Sequence, residues 1–368
     1  MTVKVGVIGA GICGRSVALM LRHIAAVSHT RMRISLFDGQ GVGPHALMNC
    51  PSAVAAGMLA PYSEASVSHK WLIEAGSRAL ALWPSWVEQL DRPSLLSQSG
   101  TAVVAHPQDK RELHDFSDRL MQVEEGDMSC LAPLPQSLTS QFAGRFNDAL
   151  FLHEEAHVNV PDLLTIMADR ISDAANIDSH CMAVQSIDQE LAVVTLGNGE
   201  RITFDYLIDC RGLGAKSDHP DLRGVRGEVL TVHAPEVNYE HMIRLMHPRY
   251  CLYLVPRPDN VYVLGATMLE SEDKGPVTVR SALELLSALY SIDKGFSEAC
   301  VLSMRAECRP AFPDNQPRIA TFGRTITING LYRHGILLSP LAAQVASRTL
   351  LHAIDERAVW HKESRIPL

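Results

Sequence analysis

The sequence predicts a mixed α/β chain, α+β overall, in which one part alternates strand and helix and another is built mainly of strands. Three observations predict this. A β-branched run, a glycine turn and a helical run follow one another at the N-terminus. A block of short strand-like runs punctuated by Pro and Gly occupies 181–268. The chain has 368 residues, ample for two units, side by side or interleaved, with a large core and a buried ligand. With 46% hydrophobic and 20% charged residues it has the composition of a soluble globular protein. Its 33 basic and 41 acidic residues leave a net charge of -8 and there is no Lys/Arg run, which argues against nucleic-acid and anionic-membrane partners.

Val3–Ile8 reads as a strand, 15–26 as a helix and 32–37 as a second strand ending at Asp38, together a βαβ unit. The Gly-, Pro- and Asn-rich segment 39–56 reads as a loop. Helical periodicity over 67–90 carries Trp71, Leu72, Ala75, Leu80, Leu82, Trp86 and Leu90. From 106 to 146 the chain turns polar, with Glu124, Glu125, Gly126 and Asp127, and reads as an excursion from the first layer. A helix over 158–174 starts after Asn159, with Pro161 in the first turn where a missing amide is harmless. Strands are expected at 181–187, 192–196 and 202–209, with Gly197-Asn198-Gly199 as a hairpin turn, and again at 228–232, 250–255 and 261–266. An amphipathic helix over 279–290, a strand over 325–329 and a long terminal helix over 331–351 complete the chain.

Eight cysteines, Cys13, Cys50, Cys130, Cys181, Cys210, Cys251, Cys300 and Cys308, form no CxxC pair and no zinc spacing, so reduced thiols and no metal site are expected. His153 and His157 stand at i and i+4, but the acids between them suggest a solvated turn. The N-terminus enters a strand directly without a signal-peptide pattern, and no apolar run reaches the roughly 18 residues of a membrane span. A cytoplasmic protein is the expectation.

The sharpest local feature is Gly9-Ala10-Gly11-Ile12-Cys13-Gly14 between a strand and a helix. Glycines here permit a tight turn, close approach of a pyrophosphate and close packing of helix on strand, with the helix N-terminus aimed at the phosphates. Asp38 stands 24 residues after Gly14 at the end of the next strand, where a carboxylate can accept from ribose hydroxyls. NAD and FAD share the adenosine half, so the fingerprint leaves both open. No G-x-S-x-G elbow and no P-loop lysine is present, so acyl and phosphoryl transfer have no support.

Further motifs are Ala55-Ala56-Gly57-Met58-Leu59-Ala60-Pro61, Arg226-Gly227-Glu228, Leu254-Val255-Pro256-Arg257, Gly265-Ala266-Thr267-Met268, Arg309-Pro310-Ala311 with Pro313-Asp314, and Tyr332-Arg333-His334-Gly335-Ile336-Leu337-Leu338. In this order the set resembles the D-amino-acid oxidase superfamily of flavoproteins, and within it the glycine oxidases of thiamine biosynthesis. The resemblance covers nearly the whole chain. It implies a Rossmann-like FAD-binding domain assembled from 1–85, 148–222 and 318–368, with an interleaved substrate domain, 86–147 and 223–317, built on an antiparallel β-sheet. It implies non-covalent FAD and oxidation of glycine, or a related small amine or D-amino acid, by hydride transfer from the α-carbon to flavin N5. The imine would hydrolyse to a 2-oxo acid and ammonia, and O2 would become H2O2. A dehydrogenase of the same fold with a quinone or protein acceptor, and a non-catalytic FAD-binding subunit, are the alternatives. Homo-oligomerisation is left open.

The resemblance also assigns residues. Gly9, Gly11, Ile12, Cys13, Gly14, Asp38 and Gly39 would sit on the adenosine and pyrophosphate, and Val184 on the adenine. Pro51, Ser52, Ala53, Ala56, Gly57 and Met58 would line the flavin. Leu331, Tyr332, Arg333, His334, Gly335, Ile336 and Leu337 would wrap the isoalloxazine. A helix starting at Gly335 could also stabilise negative charge on the flavin through its first amides. Arg309 and Arg333 stand in apolar or small-residue settings, and a guanidinium fork can clamp a carboxylate with two parallel bonds. By the resemblance Arg309 is that clamp, Arg333 a second cation, Tyr253 a partner of the substrate carboxylate and Met268 a pocket wall. Arg211, near the expected pyrophosphate, would contact it or pair with Asp209, and His334 stands where a smaller amide is common.

Overall fold

The computed structural model describes residues 2–43, 46, 50–64, 70–125, 128–248 and 252–368. A seven-stranded sheet has the order Trp360–Ile366, Arg318–Gly323, Thr325–Asn329, Tyr206–Asp209, Val3–Ile8, Met32–Asp38, Ile177–Cys181. Its inner pairs are parallel, as βαβ connections require, and Arg318–Gly323 and Trp360–Ile366 close one edge antiparallel. Val5, Val7, Ile34, Leu36 and Ile208 lose all contact with solvent in a core shared with the helices Ile12–Val27, Lys70–Gln89, Val160–Ser172 and Gly335–Glu356. Both faces of a parallel sheet are covered in this way, which explains the near-continuous apolar runs.

An eight-stranded sheet has the order Cys300–Ala311, Arg223–His233, Val261–Gly265, Leu252–Arg257, Met242–Met246, Thr101–Ala105, Ala149–Leu152, Leu131–Ala132. It is antiparallel except where Met242–Met246 runs parallel to Thr101–Ala105. The helix Val279–Ile292 packs on one face through Leu285, Ala288, Leu289 and Ile292. Small three-stranded sheets are formed by Val184–Asp188, Val193–Leu196 and Arg201–Thr203, and by Met58–Leu59, Ala156–Val158 and Leu96–Ser97.

Several expectations change. The expected strand 181–187 is two strands in two sheets, Ile177–Cys181 and Val184–Asp188, and 202–209 divides likewise into Arg201–Thr203 and Tyr206–Asp209. In both cases a continuous β-prone run hides a change of direction. The first helix begins at Ile12 rather than 15, directly off the glycine turn. The polar excursion contains two helices, Lys110–Val123 and Gln136–Phe142, whose narrow apolar faces bury Leu113, Phe116, Leu120, Leu138 and Phe142. The terminal helix starts at Gly335 after a single 3-10 turn, Tyr332–His334. His157 is not on a solvated turn: it lies buried in the strand Ala156–Val158, and the neighbouring Glu155 is fully buried. Parts of the expected loop 39–56, the helix start at 67–69, Gly126 and Asp127 of the acidic stretch, and Tyr250 and Cys251 at the head of the expected strand 250–255 lie outside the described residues.

Candidate functional site

The glycine turn forms because its backbone leaves no room for side chains at two points and opens a space at a third. Gly9 has φ +93, and a Cβ there would meet the Cys210 carbonyl oxygen at 2.6 Å; a Cβ at Gly14 would meet the Gly9 carbonyl oxygen at 1.8 Å. At Gly11, the residue preceding the helix, the nearest atom to an added Cβ is Ser52 Oγ at 3.5 Å, so the ground before the helix N-terminus is open. The Ile12 amide donates to that Ser52 hydroxyl at 3.1 Å. Asp38 braces the turn, accepting from the amides of Ala10 and Gln40, both at 2.8 Å. Beneath it Arg15, fully buried, donates to the carbonyls of Ala10 (2.8 Å), Leu164 (3.0 Å) and Val42 (2.8 Å). Arg211 is ion-paired with Asp209 at 2.7 Å and with Asp218, the structural alternative for that residue.

From this turn a cleft of about 1080 Å³ runs between the two large sheets. Of the predicted residues, Ile12, Pro51, Ser52, Ala56, Gly57, Met58, Tyr253, Met268, Arg309 and 332–337 line it. Gly9, Gly11, Cys13, Gly14, Asp38, Gly39, Ala53, Val184 and Leu331 lie behind or beyond its walls; Gly39 abuts Ala183, next to Val184, with 3.3 Å between its added Cβ and the Ala183 Cβ. The Ala56-Gly57-Met58 turn is held by Arg257, which donates to the Ala56 carbonyl and to His157 Nδ1 at 3.1 Å. Burial, with help from Arg257, pushes the His157 imidazole down to about 3, so it is the neutral acceptor. Gly57 has φ +76 and its Cα faces the Val158 carbonyl so closely that a Cβ would stand 2.1 Å from it. On the cleft floor the helix Gly335–Glu356 begins with no side-chain cap among the described residues, and Trp83 fixes its first turn by donating to the Leu337 carbonyl at 3.1 Å. Its first-turn amides are therefore available to a negative group.

Arg309 rises from the edge strand Cys300–Ala311 toward the cleft and passes over its neighbour, Arg223–His233, at Gly227. A Cβ at 227 would lie 2.1 Å from Arg309 Nη2 and 2.2 Å from Cζ, so only glycine lets the guanidinium lie there. Among the described residues its side chain makes one hydrogen bond, from Nη1 to the Thr267 carbonyl at 3.3 Å. Most of the planar fork remains available to a ligand, and burial lowers its pKa. Tyr253 stands on the same sheet face, two strands from Gly227, its phenol pKa raised by burial. Met268 is partly exposed at the cleft rim, its Sδ 3.0 Å from Arg333 Nη1. His334 is buried and its pKa falls to about 4 from burial, despite the pull of Glu64, so it is a neutral group.

The structure adds residues that no sequence pattern marks. Arg333 Nη2 donates to Glu64 Oε1 at 2.8 Å, and Glu64 lines the cleft while almost entirely buried. Arg244, opposite Tyr253 on the neighbouring strand and fully buried, approaches Glu64 Oε1 at 3.5 Å. Burial alone would raise the Glu64 carboxyl, but Arg333, then Arg244, His334 and Arg309, hold it below its ordinary value. Behind it, Glu155 accepts from the Ser63 amide at 2.6 Å, and burial pushes it up to about 7. Among the described residues no group of side chains could hold a metal ion, and no helix is long and apolar enough to cross a membrane.

Comparison with known proteins adds to this geometry. The family described as FAD dependent oxidoreductase (DAO) matches residues 4–349. A protein of Rhizobium etli, provisionally named thiamine biosynthesis oxidoreductase ThiO, is 38% identical over 93% of this chain and 95% of its own length. A glycine oxidase of Geobacillus kaustophilus is 23% identical over 92% of this chain and 90% of its own. The fold is that of a solved glycine oxidase from Geobacillus kaustophilus, with a TM-score of 0.77 at 22% identity over 97% of this chain and 95% of that one. An iminodiacetate oxidase from Chelativorans sp. BNC1 matches with a TM-score of 0.76 at 21% identity over 95% of both chains.

Proposed function

The chain belongs to the DAO family of FAD-dependent oxidoreductases and is of the glycine oxidase type, and on that premise we propose that it oxidises glycine or a related small amine or D-amino acid with O2 as acceptor. The observation that carries the reading is Arg309, a half-buried guanidinium on the cleft wall whose fork is mostly uncommitted among the described residues and whose position is dictated by Gly227.

The donor set fits FAD. The open ground at Gly11 suits a pyrophosphate, the uncapped helix at Gly335 suits the electron-rich end of a flavin, and the cleft joins the two. Gly9, Gly11, Ile12, Cys13, Gly14, Asp38, Gly39 and Val184 would hold the adenosine half, and Pro51, Ser52, Ala53, Ala56, Gly57, Met58 and 331–337 the flavin half. Non-covalent binding is part of this reading, as the family resemblance implies. FAD, when bound, supplies the acceptor for the α-hydrogen with its electron pair and passes the electrons to O2, giving H2O2.

The protein supplies position. Arg309 clasps the substrate carboxylate in two charge-assisted bonds, and Tyr253 donates its phenolic proton to the same group, which its raised pKa keeps in place. Met268 limits the room for a side chain. The neutral His334 adds no charge beside the flavin site. The imine leaves the cleft and hydrolyses to the 2-oxo acid and ammonia. The likeness to the Rhizobium protein supports a place in thiamine synthesis. The domain division 1–85, 148–222 and 318–368 against 86–147 and 223–317 follows the two large sheets with two changes: 149–152 goes to the second unit because that strand pairs with Thr101–Ala105, and 86–97 goes to the first because the helix Lys70–Gln89 continues across the boundary and Leu96–Ser97 pairs with Ala156–Val158.

An anaerobic absorbance spectrum of the purified protein, with glycine, sarcosine and D-amino acids added in turn before air is admitted, tests the reading. Bleaching by one of them and recovery in air with peroxide formed is expected. A yellow protein that no small amine reduces refutes it, and bleaching that air reverses only slowly favours a dehydrogenase with another acceptor.

A further inference from the structure

Three guanidinium groups, Arg244, Arg309 and Arg333, act on one carboxylate, Glu64, at the substrate end of the cleft. The two oxygens of that carboxylate differ. Oε1 accepts the hydrogen bond from Arg333 and faces Arg244. Oε2 is buried and makes no hydrogen bond among the described residues, although Arg333 Nη2 lies 2.7 Å away in ion-pair contact. A buried carboxylate oxygen without a hydrogen-bond donor is costly, and on a cleft wall the missing donor is a ligand group. Were Glu64 only the counter-ion of Arg333, the fork geometry of a guanidinium would satisfy both oxygens.

We propose that Glu64 is the specificity-determining anchor for the substrate's ammonium group, its Oε2 accepting from the amine while Arg309 holds the carboxylate. The inference rests on the amino-acid-oxidising reading above and adds how the amine is selected. An α-amino acid carries its cation next to its anion, and an ammonium offers three donors where a simple carboxylate offers none. A carboxylate ligand without the amine leaves Oε2 unsatisfied and brings a second negative charge beside Glu64. The site therefore discriminates amino acids from simple carboxylates by a desolvated charge as well as by shape. The surrounding arginines hold the Glu64 carboxyl ionised, the form that anchors a cation.

The test uses the FAD-loaded protein with two ligands. The dissociation constant of glycine comes from the concentration dependence of anaerobic flavin reduction, and that of acetate from its perturbation of the flavin spectrum. Glu64→Gln is expected to weaken glycine at least 10-fold and to leave acetate unchanged or bound more tightly. Glu64→Asp, which keeps a charge for the arginines but withdraws the oxygens, is expected to show the same divergence if Glu64→Gln fails to fold. Equal weakening of both ligands reveals a structural role and overturns the proposal, as does unchanged glycine binding. If wild-type protein binds acetate but no amino acid reduces it, the amine-oxidising reading fails and this proposal with it. Reduction of wild type by glycine with no divergence in the variants removes this proposal alone.

Discussion

The contact between Gly227 and Arg309 offers a test of the carboxylate clamp that leaves every charged residue in place. In Gly227→Ala the new methyl would stand 2.1 Å from Nη2, 2.2 Å from Cζ and 2.3 Å from Nη1 of Arg309. Ordinary contact begins near 3.5 Å, so the guanidinium must retreat by roughly 1 Å or more. The strand pairing of Val225 with Arg309 and of Gly227 with Glu307 fixes the backbones of both strands, which leaves the side chain as the part that yields. Its bond to the Thr267 carbonyl, already 3.3 Å, would break. A misplaced charge-assisted pair costs about 1.5–3 kcal/mol, which at about 1.4 kcal/mol per factor of ten is a KM raised on the order of 10- to 150-fold. Gly227 belongs to the strand Arg223–His233 and not to the glycine turn, so FAD content should match wild type. Steady-state kinetics on glycine, with flavin content measured on the same sample, is the assay. A fully loaded Gly227→Ala protein with KM within 2-fold of wild type would refute the placement of Arg309 and the role built on it.

Other expectations follow from the same geometry. Arg309→Ala should raise KM by at least the same factor with flavin retained, and unchanged kinetics in a flavin-loaded sample would remove the clamp. Gly11→Val fills the open ground before the first helix and should abolish flavin retention; a variant that purifies yellow would show that the pyrophosphate lies elsewhere. Glu155 faces Ser63, Thr101 and Glu64, and burial raises its folded pKa from 4.5 to about 7. The stability gained by holding its proton is complete below the unfolded value and is lost as pH rises through about 7, a loss on the order of 3 kcal/mol. Glu155→Gln, neutral at every pH, should therefore gain on wild type in urea midpoint between pH 5 and pH 8, and parallel profiles would contradict the burial argument.

The sequence announces those parts of the site whose signal is local or whose order is distinctive. The glycines at 9, 11 and 14 are legible because steric exclusion fixes their spacing, and Asp38 because strand length sets its distance from them. Arg309 and Arg333 draw notice as charges in apolar settings. Glu64, Arg244 and Glu155 do not, because each belongs to an ordinary stretch and gains meaning only from partners brought by other elements. Glu64 and Arg333 are 269 positions apart. His157 fails for a related reason: acids beside a histidine read as solvated, whereas here Glu155 is buried against a backbone amide and His157 against Arg257. The strand Cys300–Ala311, which carries Arg309, is missed because it is a sheet edge with exposed residues on both faces over its first half, so no alternation marks it.

Arg15 ties three stretches of chain into one knot beneath the glycine turn, through carbonyls at 10, 42 and 164. A guanidinium sealed from water is tolerable only when its donors are met, so the turn reaches its final shape after the helix Val160–Ser172 has docked, 149 positions downstream of Arg15. Nucleotide binding is thus a property of the assembled molecule. The N-terminal βαβ unit expressed alone would carry the full fingerprint yet leave this cation without two of its acceptors. Cofactor retention accordingly reports on the folding of a chain that loops out through a second sheet and returns, and a lesion far from the cofactor can register first as a loss of colour.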